Sequence, residues 1–124
     1  MQERLKKHQI SFKHAFTGLS YAFRTQPNFV IHFTLSILAI LAGIILEISS
    51  LRMVGLIIMV AIGLAAEMIN TAIESVTDLV ANGWQKEAKI AKDVSAGMVL
   101  LTAMGAVLVA CIILLPPLFE RLGF

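Results

Sequence analysis

The chain has 124 residues, of which 58% are hydrophobic and 15% charged, and its formal net charge is +2. Soluble domains average about 45–50% apolar and about 25% charged residues, so this composition indicates a membrane protein with one domain over residues 1–124. So small a net charge excludes a chain that binds nucleic acid through its overall potential, and we expect no nucleic-acid partner.

The N-terminal segment is predicted to form an amphipathic surface helix over about residues 5–24. Its apolar residues recur at approximately helical spacing, and basic residues flank them, among them Lys6, Lys7, Lys13 and His14. A helix of this kind lies in the headgroup region of a membrane and does not cross it. Pro27 disfavours helical backbone at the residue before it, and so predicts a turn into the next element.

Three apolar segments follow, and each is predicted to cross the membrane as a helix. They lie at about residues 29–47, 51–80 and 94–115, and Pro116-Pro117 is expected to stop the third. A helix needs about 20 residues to span the hydrocarbon core, and the second segment meets this length only if its polar C-terminal turns emerge into the interface. The predicted fold class is therefore an all-α membrane protein with one surface helix and three transmembrane helices.

The distribution of Lys and Arg predicts the orientation of the spans. Basic residues precede the first span and lie between the second and third, whereas the other side holds only Arg52 and Arg121. We therefore expect the N-terminus and residues 81–93 in the cytoplasm. Because three spans make a thin bundle, and small residues on two of them allow close helix contacts in lipid, we also expect a homo-oligomer.

Four polar side chains form one stripe on the second predicted span: Glu67, Asn70, Glu74 and Asp78. At about 100° per residue they lie within about 80° of one another. Carboxylates inside a bilayer are costly and are kept where they face a partner, an ion or a cavity. Because the stripe lies at the end nearest residues 81–93, cytoplasmic substrates could reach it, and the chemistry is placed there.

Lys92 and Asp93, where the third span begins, add to this constellation. Carboxylates, an amide and a lysine are the groups that hold Mg²⁺ and phosphate oxygens, and a free carboxylate can accept a proton from an attacking hydroxyl. The alternative is a structural network in which Lys92 pairs with Glu74 or Asp78, and the spacing does not decide between the two. His32, near the cytoplasmic end of the first span, is interpreted as a polar contact with a neighbouring helix.

Two motifs stand out in this region: Glu67-x-x-Asn70-Thr71-Ala72-Ile73-Glu74-x-x-x-Asp78 and Ala88-Lys89-Ile90-Ala91-Lys92-Asp93. They closely resemble the signature of the prokaryotic diacylglycerol kinase family, which are small three-span membrane enzymes unrelated to soluble kinases. The resemblance covers most of the chain, because the family's N-terminal region is similar to Ser11-Phe12-Lys13-His14-Ala15, Gly18 and Thr25-x-x-Asn28-x-x-Ile31-His32.

The resemblance implies a homotrimer with sites shared between subunits. The implied reaction moves the γ-phosphate of MgATP to the hydroxyl of a membrane lipid alcohol, undecaprenol or diacylglycerol, and would feed lipid-carrier recycling or phospholipid biosynthesis. The implied partners are ATP, the lipid alcohol and the bilayer. The implied location is the bacterial inner membrane, with the active site in the cytoplasm.

The resemblance also assigns roles to residues. Glu67 would be the catalytic residue beside the acceptor hydroxyl, and Asn70 would position groups in the site. Glu74 would bind the metal and ATP, and Lys92 and Asp93 would face the phosphates. Further nucleotide contacts would come from His14, Lys7, Gly83, Trp84 and Gln85.

Two positions depart from the family pattern. Many members carry a glutamate that helps to hold metal where Gln26 stands, so Gln26 keeps an oxygen ligand for Mg²⁺ beside Glu74 but loses the charge. The loop before Ala88 usually carries a histidine and here reads Trp84-Gln85-Lys86-Glu87. The Asn-Thr-Ala-Ile-Glu form of the motif resembles the undecaprenol kinases of Gram-positive bacteria more than the enterobacterial diacylglycerol kinases.

The rival interpretation is a non-catalytic oligomeric membrane protein held together by an acidic and basic network. An ion-conducting oligomer would need polar residues along a whole span, whereas Met53–Ala66 is almost entirely apolar. A pore is therefore the weaker form of this alternative.

Overall fold

The computed structural model describes residues 2–81, 83 and 85–123, with side chains from residue 11 onward. The described residues form four helices and no strand: α1 (Gln2–Thr25), α2 (Pro27–Ile45), α3 (Ser50–Val80) and α4 (Lys86–Leu122). The helices α2, α3 and α4 are long and apolar enough to cross a membrane. The prediction of an all-α chain with three helices suited to crossing a membrane is confirmed for the described residues, whereas the surface position of α1 stays a prediction.

The junction between α1 and α2 consists of one residue, Gln26. Its backbone is extended, with φ −115° and ψ 95°, because the ring of Pro27 disfavours helical backbone at the residue before it. Pro27 then begins α2, where its missing N–H has no intrahelical acceptor in any case. The ring of Phe23 packs edge-to-face on Phe29 and Phe33, with ring centroids 5.0 and 4.8 Å apart. These contacts hold the end of α1 against α2.

The turn between α2 and α3 is tight and closes over a glycine. Glu47 has a φ of +53°, and the N–H of Ile48 then donates to the carbonyl of Gly43 at 3.1 Å. A β-carbon on Gly43 would lie 2.9 Å from Cδ1 of Ile48, so glycine permits this close packing. From the far end of α4, Arg121 donates to the carbonyl of Ile45, one of the last carbonyls of α2, which have no intrahelical donor.

Helix α4 corrects one expectation, because it continues through Pro116-Pro117 to Leu122. Each proline removes one N–H donor, but its φ is close to the helical value. With 37 residues, α4 is about 55 Å long, well beyond the roughly 30 Å of a hydrocarbon core. The prolines thus lie in its last turns, where we infer that water can satisfy the carbonyls left without donors.

The packing places one end of α3 against the start of α4. The most extensive helix contact is between α3 and α4, followed by that between α2 and α3, while α1 packs mainly on α2. The polar stripe occupies the C-terminal half of α3, so it lies at the end of the bundle where the α3–α4 connection is. We call this the α3–α4 end.

Candidate active site

The polar stripe runs from a buried carboxylate to an exposed one. Glu67 is only 3% exposed, Asn70 and Glu74 are half-buried, and the side chain of Asp78 is 68% exposed. Because α3 has 31 residues, or about 46 Å, its last turns can extend beyond the hydrocarbon core. The stripe therefore offers a path from the interior of the bundle to the α3–α4 end.

A chain of hydrogen bonds joins α4 to the middle of the stripe. Ser95 is 2% exposed, and its hydroxyl donates to Oδ1 of Asn70 at 2.6 Å. Nδ2 of Asn70 then donates to Oε1 of Glu74 at 3.0 Å. These two bonds fix the orientation of the amide, and through it they hold one oxygen of the Glu74 carboxylate. Asn70 therefore holds the Glu74 carboxylate, while the role that the resemblance implies for Asn70, positioning groups in the active site, stays a prediction.

Sequence reasoning missed Ser95. Its hydroxyl also lies 3.0 Å from the carbonyl of Lys92, so its single hydrogen can serve either acceptor in turn. The available signal was a lone hydroxyl residue three positions after Lys92, on a helix whose next turns are apolar. A hydroxyl residue on a helix face that packs against the polar stripe is a candidate for orienting the side chains of the stripe.

Two ion pairs lie closer to the solvent. Lys92 pairs with Asp78 and so connects α4 to α3, whereas Lys89 pairs with Asp93 one turn along α4, with both side chains 61% exposed. The structural alternative expected Lys92 to pair with Glu74 or Asp78, and the structure selects Asp78. Exposed ion pairs contribute only about 0–1 kcal/mol each, so these lysines can exchange partners at little cost.

Glu67 faces α2 and is incompletely satisfied. Its Oε1 lies 3.6 Å from Nδ1 of His32, which is longer than a hydrogen bond. Within the described part of the chain, Oε1 has no hydrogen-bond partner. The hydroxyl of Thr71 donates to the backbone carbonyl of Glu67, at 2.9 Å. A buried carboxylate oxygen without a partner costs folding free energy, and this marks Glu67 as a candidate functional residue.

An apolar groove begins beside His32 and runs between α2, α3 and α4. It has a volume of about 160 Å³, and His32 and Ser36 are the polar residues of its lining. Gly63 and Leu64, one turn before Glu67 on α3, belong to the lining. Small residues contribute to the lining on all three helices, among them Ala39, Ala103, Ala106 and Ala110. The groove is therefore suited to an alkyl or isoprenoid chain, with a polar pair near one end.

The remaining predicted nucleotide residues are dispersed or lie outside the described residues. Gln26 is half-buried at the α1–α2 junction, and its side chain makes no capping hydrogen bond to α2. His14 is exposed on α1, and Gln85 is exposed just before α4. Gly83 has a φ of +93°, which suits glycine. The side chain of Lys7 and the whole of Trp84 lie outside the described residues.

The metal site predicted at Glu74 and Gln26 is incomplete in one chain. Among the described residues, no three His, Cys, Asp or Glu side chains converge closely enough to hold a metal ion. Mg²⁺ is commonly bound by one or two carboxylates together with waters and substrate phosphates. Glu74 therefore fits a metal that arrives with a nucleotide, whereas the structure records no contact that brings Gln26 to it.

Comparison with known protein families identifies the chain. Residues 13–114 match the sequence profile described as prokaryotic diacylglycerol kinase. The chain belongs to the prokaryotic diacylglycerol kinase family. The matched region begins in α1, contains α2 and α3 in full and extends far into α4, so it includes the whole polar stripe, His32 and Ser95.

Two relatives in the family differ in the acceptor that their names specify. The chain is 44% identical to a diacylglycerol kinase of Synechocystis over 112 residues, which cover 90% of this chain and 64% of that protein. It is 32% identical to the undecaprenol kinase of Bacillus subtilis over 108 residues, which cover 87% of this chain and 88% of that protein. The motif resembles the undecaprenol kinases, but the sequence identity is higher to the relative named as a diacylglycerol kinase. The two comparisons therefore point to different acceptors.

Proposed function

We propose that the protein is a membrane lipid kinase that transfers the γ-phosphate of MgATP to the hydroxyl of a membrane lipid alcohol, either diacylglycerol or undecaprenol. The observation that carries this proposal is the position of Glu67. Its buried carboxylate, whose Oε1 has no hydrogen-bond partner among the described residues, lies one turn from the lining of an apolar groove, while the stripe continues toward the α3–α4 end. A lipid alcohol whose apolar tail lies in the groove would meet, at Glu67, a soluble phosphate donor that enters from the α3–α4 end.

Glu67 is proposed as the general base. An acceptor hydroxyl that donates to the carboxylate gives up its proton as its oxygen attacks the γ-phosphorus, and ADP leaves. A side chain with this role must reach the hydroxyl, and its contribution is typically about 10²–10⁴-fold in rate. Burial of the carboxylate excludes competing water, and this favours the lipid hydroxyl over hydrolysis of ATP.

Glu74 is proposed as the carboxylate that meets the nucleotide, with Asn70 and Ser95 holding it in place. Mg²⁺ bound with ATP would neutralise the charge on the phosphate oxygens. The hydrogen bonds from Ser95 to Asn70 and from Asn70 to Glu74 occupy Oε1 of Glu74, which leaves Oε2 for that cation. Lys92, whose ion pair with Asp78 is weak, could turn toward the phosphates when ATP binds.

We further propose that the protein is a homotrimer in the bacterial inner membrane, with its N-terminus and the α3–α4 end in the cytoplasm. The excess of Lys and Arg at that end supports this orientation. A test introduces Gln85→Cys or Leu122→Cys into a Cys111→Ala background and labels intact cells with a membrane-impermeant thiol reagent. We expect labelling at position 122 only, and labelling at 85 from outside would contradict the orientation.

The activity itself is tested with purified protein in mixed micelles. Radiolabelled ATP is supplied with diacylglycerol and undecaprenol side by side, and phosphatidic acid and undecaprenyl phosphate are separated and counted. Formation of either product supports the kinase, and the ratio of the two kcat/KM values identifies the acceptor. The ion pair between Lys92 and Asp78 favours the structural alternative, and that alternative predicts neither product.

A further inference from the structure

The contact between His32 and Glu67 is placed where it could affect the reaction. His32 lies on α2 and Glu67 on α3, and the distance between Nδ1 and Oε1 is 3.6 Å. Oε1 is fully buried and has no other partner within the described residues. A shift of about 0.5 Å would bring this pair to hydrogen-bond distance, and catalytic hydrogen bonds often tighten only when substrate binds.

His32 also belongs to the lining of the apolar groove, whereas Glu67 lies one turn of α3 beyond it. The side chain of His32 is 25% exposed and that of Glu67 is 4% exposed. His32 thus stands between the apolar groove and the carboxylate, and no other residue of the groove lining contacts an oxygen of Glu67 through a hydrogen bond or an ion pair. A lipid hydroxyl that approaches from the groove would meet both side chains.

We propose that His32 is a positioning residue for phosphoryl transfer, which holds Oε1 of Glu67 so that Oε2 is presented to the acceptor hydroxyl. The proposal rests on the proposed lipid kinase function. When the acceptor binds, His32 and Glu67 move closer, Nδ1–H of His32 donates to Oε1, and this bond fixes the rotation of the carboxylate. A carboxylate held by one oxygen loses less rotational freedom when its other oxygen accepts the hydroxyl proton. The smaller entropy loss lowers the activation free energy and so raises kcat.

The competing role for His32 is a structural tie between α2 and α3. A structural tie would affect stability without acting through the catalytic carboxylate. A positioning residue lowers kcat for the acceptor with little change in KM for ATP, and its effect disappears once Glu67 can no longer accept a proton. These two signatures distinguish the roles.

The test compares variants at His32 in the full-length protein, with the wild type first shown to phosphorylate a lipid alcohol. His32→Phe keeps a ring but removes the donor, His32→Leu removes the donor with a smaller side chain, and His32→Asn keeps an amide N–H near the position of Nδ1. Thr34→Val is the matched control, because Thr34 is exposed and its hydroxyl donates to its own helix at the Val30 carbonyl. Each variant is also combined with Glu67→Gln.

We expect His32→Phe and His32→Leu to lower kcat by about 10- to 100-fold, with KM for ATP within about twofold of wild type, and His32→Asn to recover most of the rate. In the Glu67→Gln background the same changes should have no further effect. Equal kcat in wild type and both donor-free variants would overturn the proposal, and so would an undiminished effect in the Glu67→Gln background. A wild type that phosphorylates neither lipid would instead refute the proposed function.

Discussion

Replacing Glu67 with glutamine separates catalysis from stability at this site. Among the described residues, Oε1 of the carboxylate has no hydrogen bond and one contact, to His32 at 3.6 Å, so we expect Glu67→Gln to remove no hydrogen bond from Oε1. We therefore expect the free energy of unfolding in detergent to change by less than about 1 kcal/mol. Turnover should fall by about 10²–10⁴-fold, which corresponds to about 2.7–5.4 kcal/mol in activation free energy.

The assay measures kcat, KM for ATP and the melting temperature in detergent for three carboxylate-to-amide variants. Glu67→Gln should lower kcat and leave KM for ATP nearly unchanged, because Glu67 does not bind the nucleotide. Glu74→Gln should instead raise KM for MgATP, because it removes the charged oxygens proposed to meet the cation. Glu120→Gln is the control, since Glu120 is exposed near the end of α4, far along the chain from the stripe.

One pattern of results would refute this reasoning. Near-full turnover in Glu67→Gln would remove the general base from the mechanism. A large loss of melting temperature with a proportionate loss of active protein, but normal turnover per folded molecule, would support the structural network instead. Because the three variants make the same chemical change, a difference among them reports position and not amide chemistry.

Three further predictions follow from the contacts. Ser95→Ala leaves Oδ1 of Asn70 without its donor, which should cost about 1–3 kcal/mol in stability. It should also raise KM for MgATP about tenfold, which corresponds to a loss of about 1.4 kcal/mol of nucleotide binding. Gln26→Glu should retain activity and lower the Mg²⁺ concentration for half-maximal rate, because a carboxylate binds a hard cation better than an amide; an unchanged Mg²⁺ dependence would place Gln26 outside the metal's ligands. Gly43→Ala should lower the melting temperature only slightly and leave kcat unaltered, since the new β-carbon would lie 2.9 Å from Cδ1 of Ile48, the end of a flexible side chain that can shift away.

Hydropathy and local chemistry were sufficient to predict the helices. A helix satisfies its own backbone hydrogen bonds, which lipid cannot do, so about 20 consecutive apolar residues predict a spanning helix without reference to its neighbours. The turn at Pro27 was also predictable from local sequence, because the steric clash of the proline ring acts on the residue directly before it. The expected stop at Pro116-Pro117 was wrong, because the same clash only disfavours helical backbone, and α4 continues through both prolines to Leu122.

The sequence by itself also determined the family and the polar stripe, since residues three and four apart share one face of a helix. Only the tertiary structure decided which partners those residues meet. The rotation and axial position of α4 against α3 decide whether Lys92 pairs with Glu74 or Asp78. They also decide whether Ser95 reaches Asn70. The contact of His32 with Glu67 depends likewise on how α2 packs on α3. Side chains far apart in the chain meet only through packing, and the helical period within one segment carries no information about it.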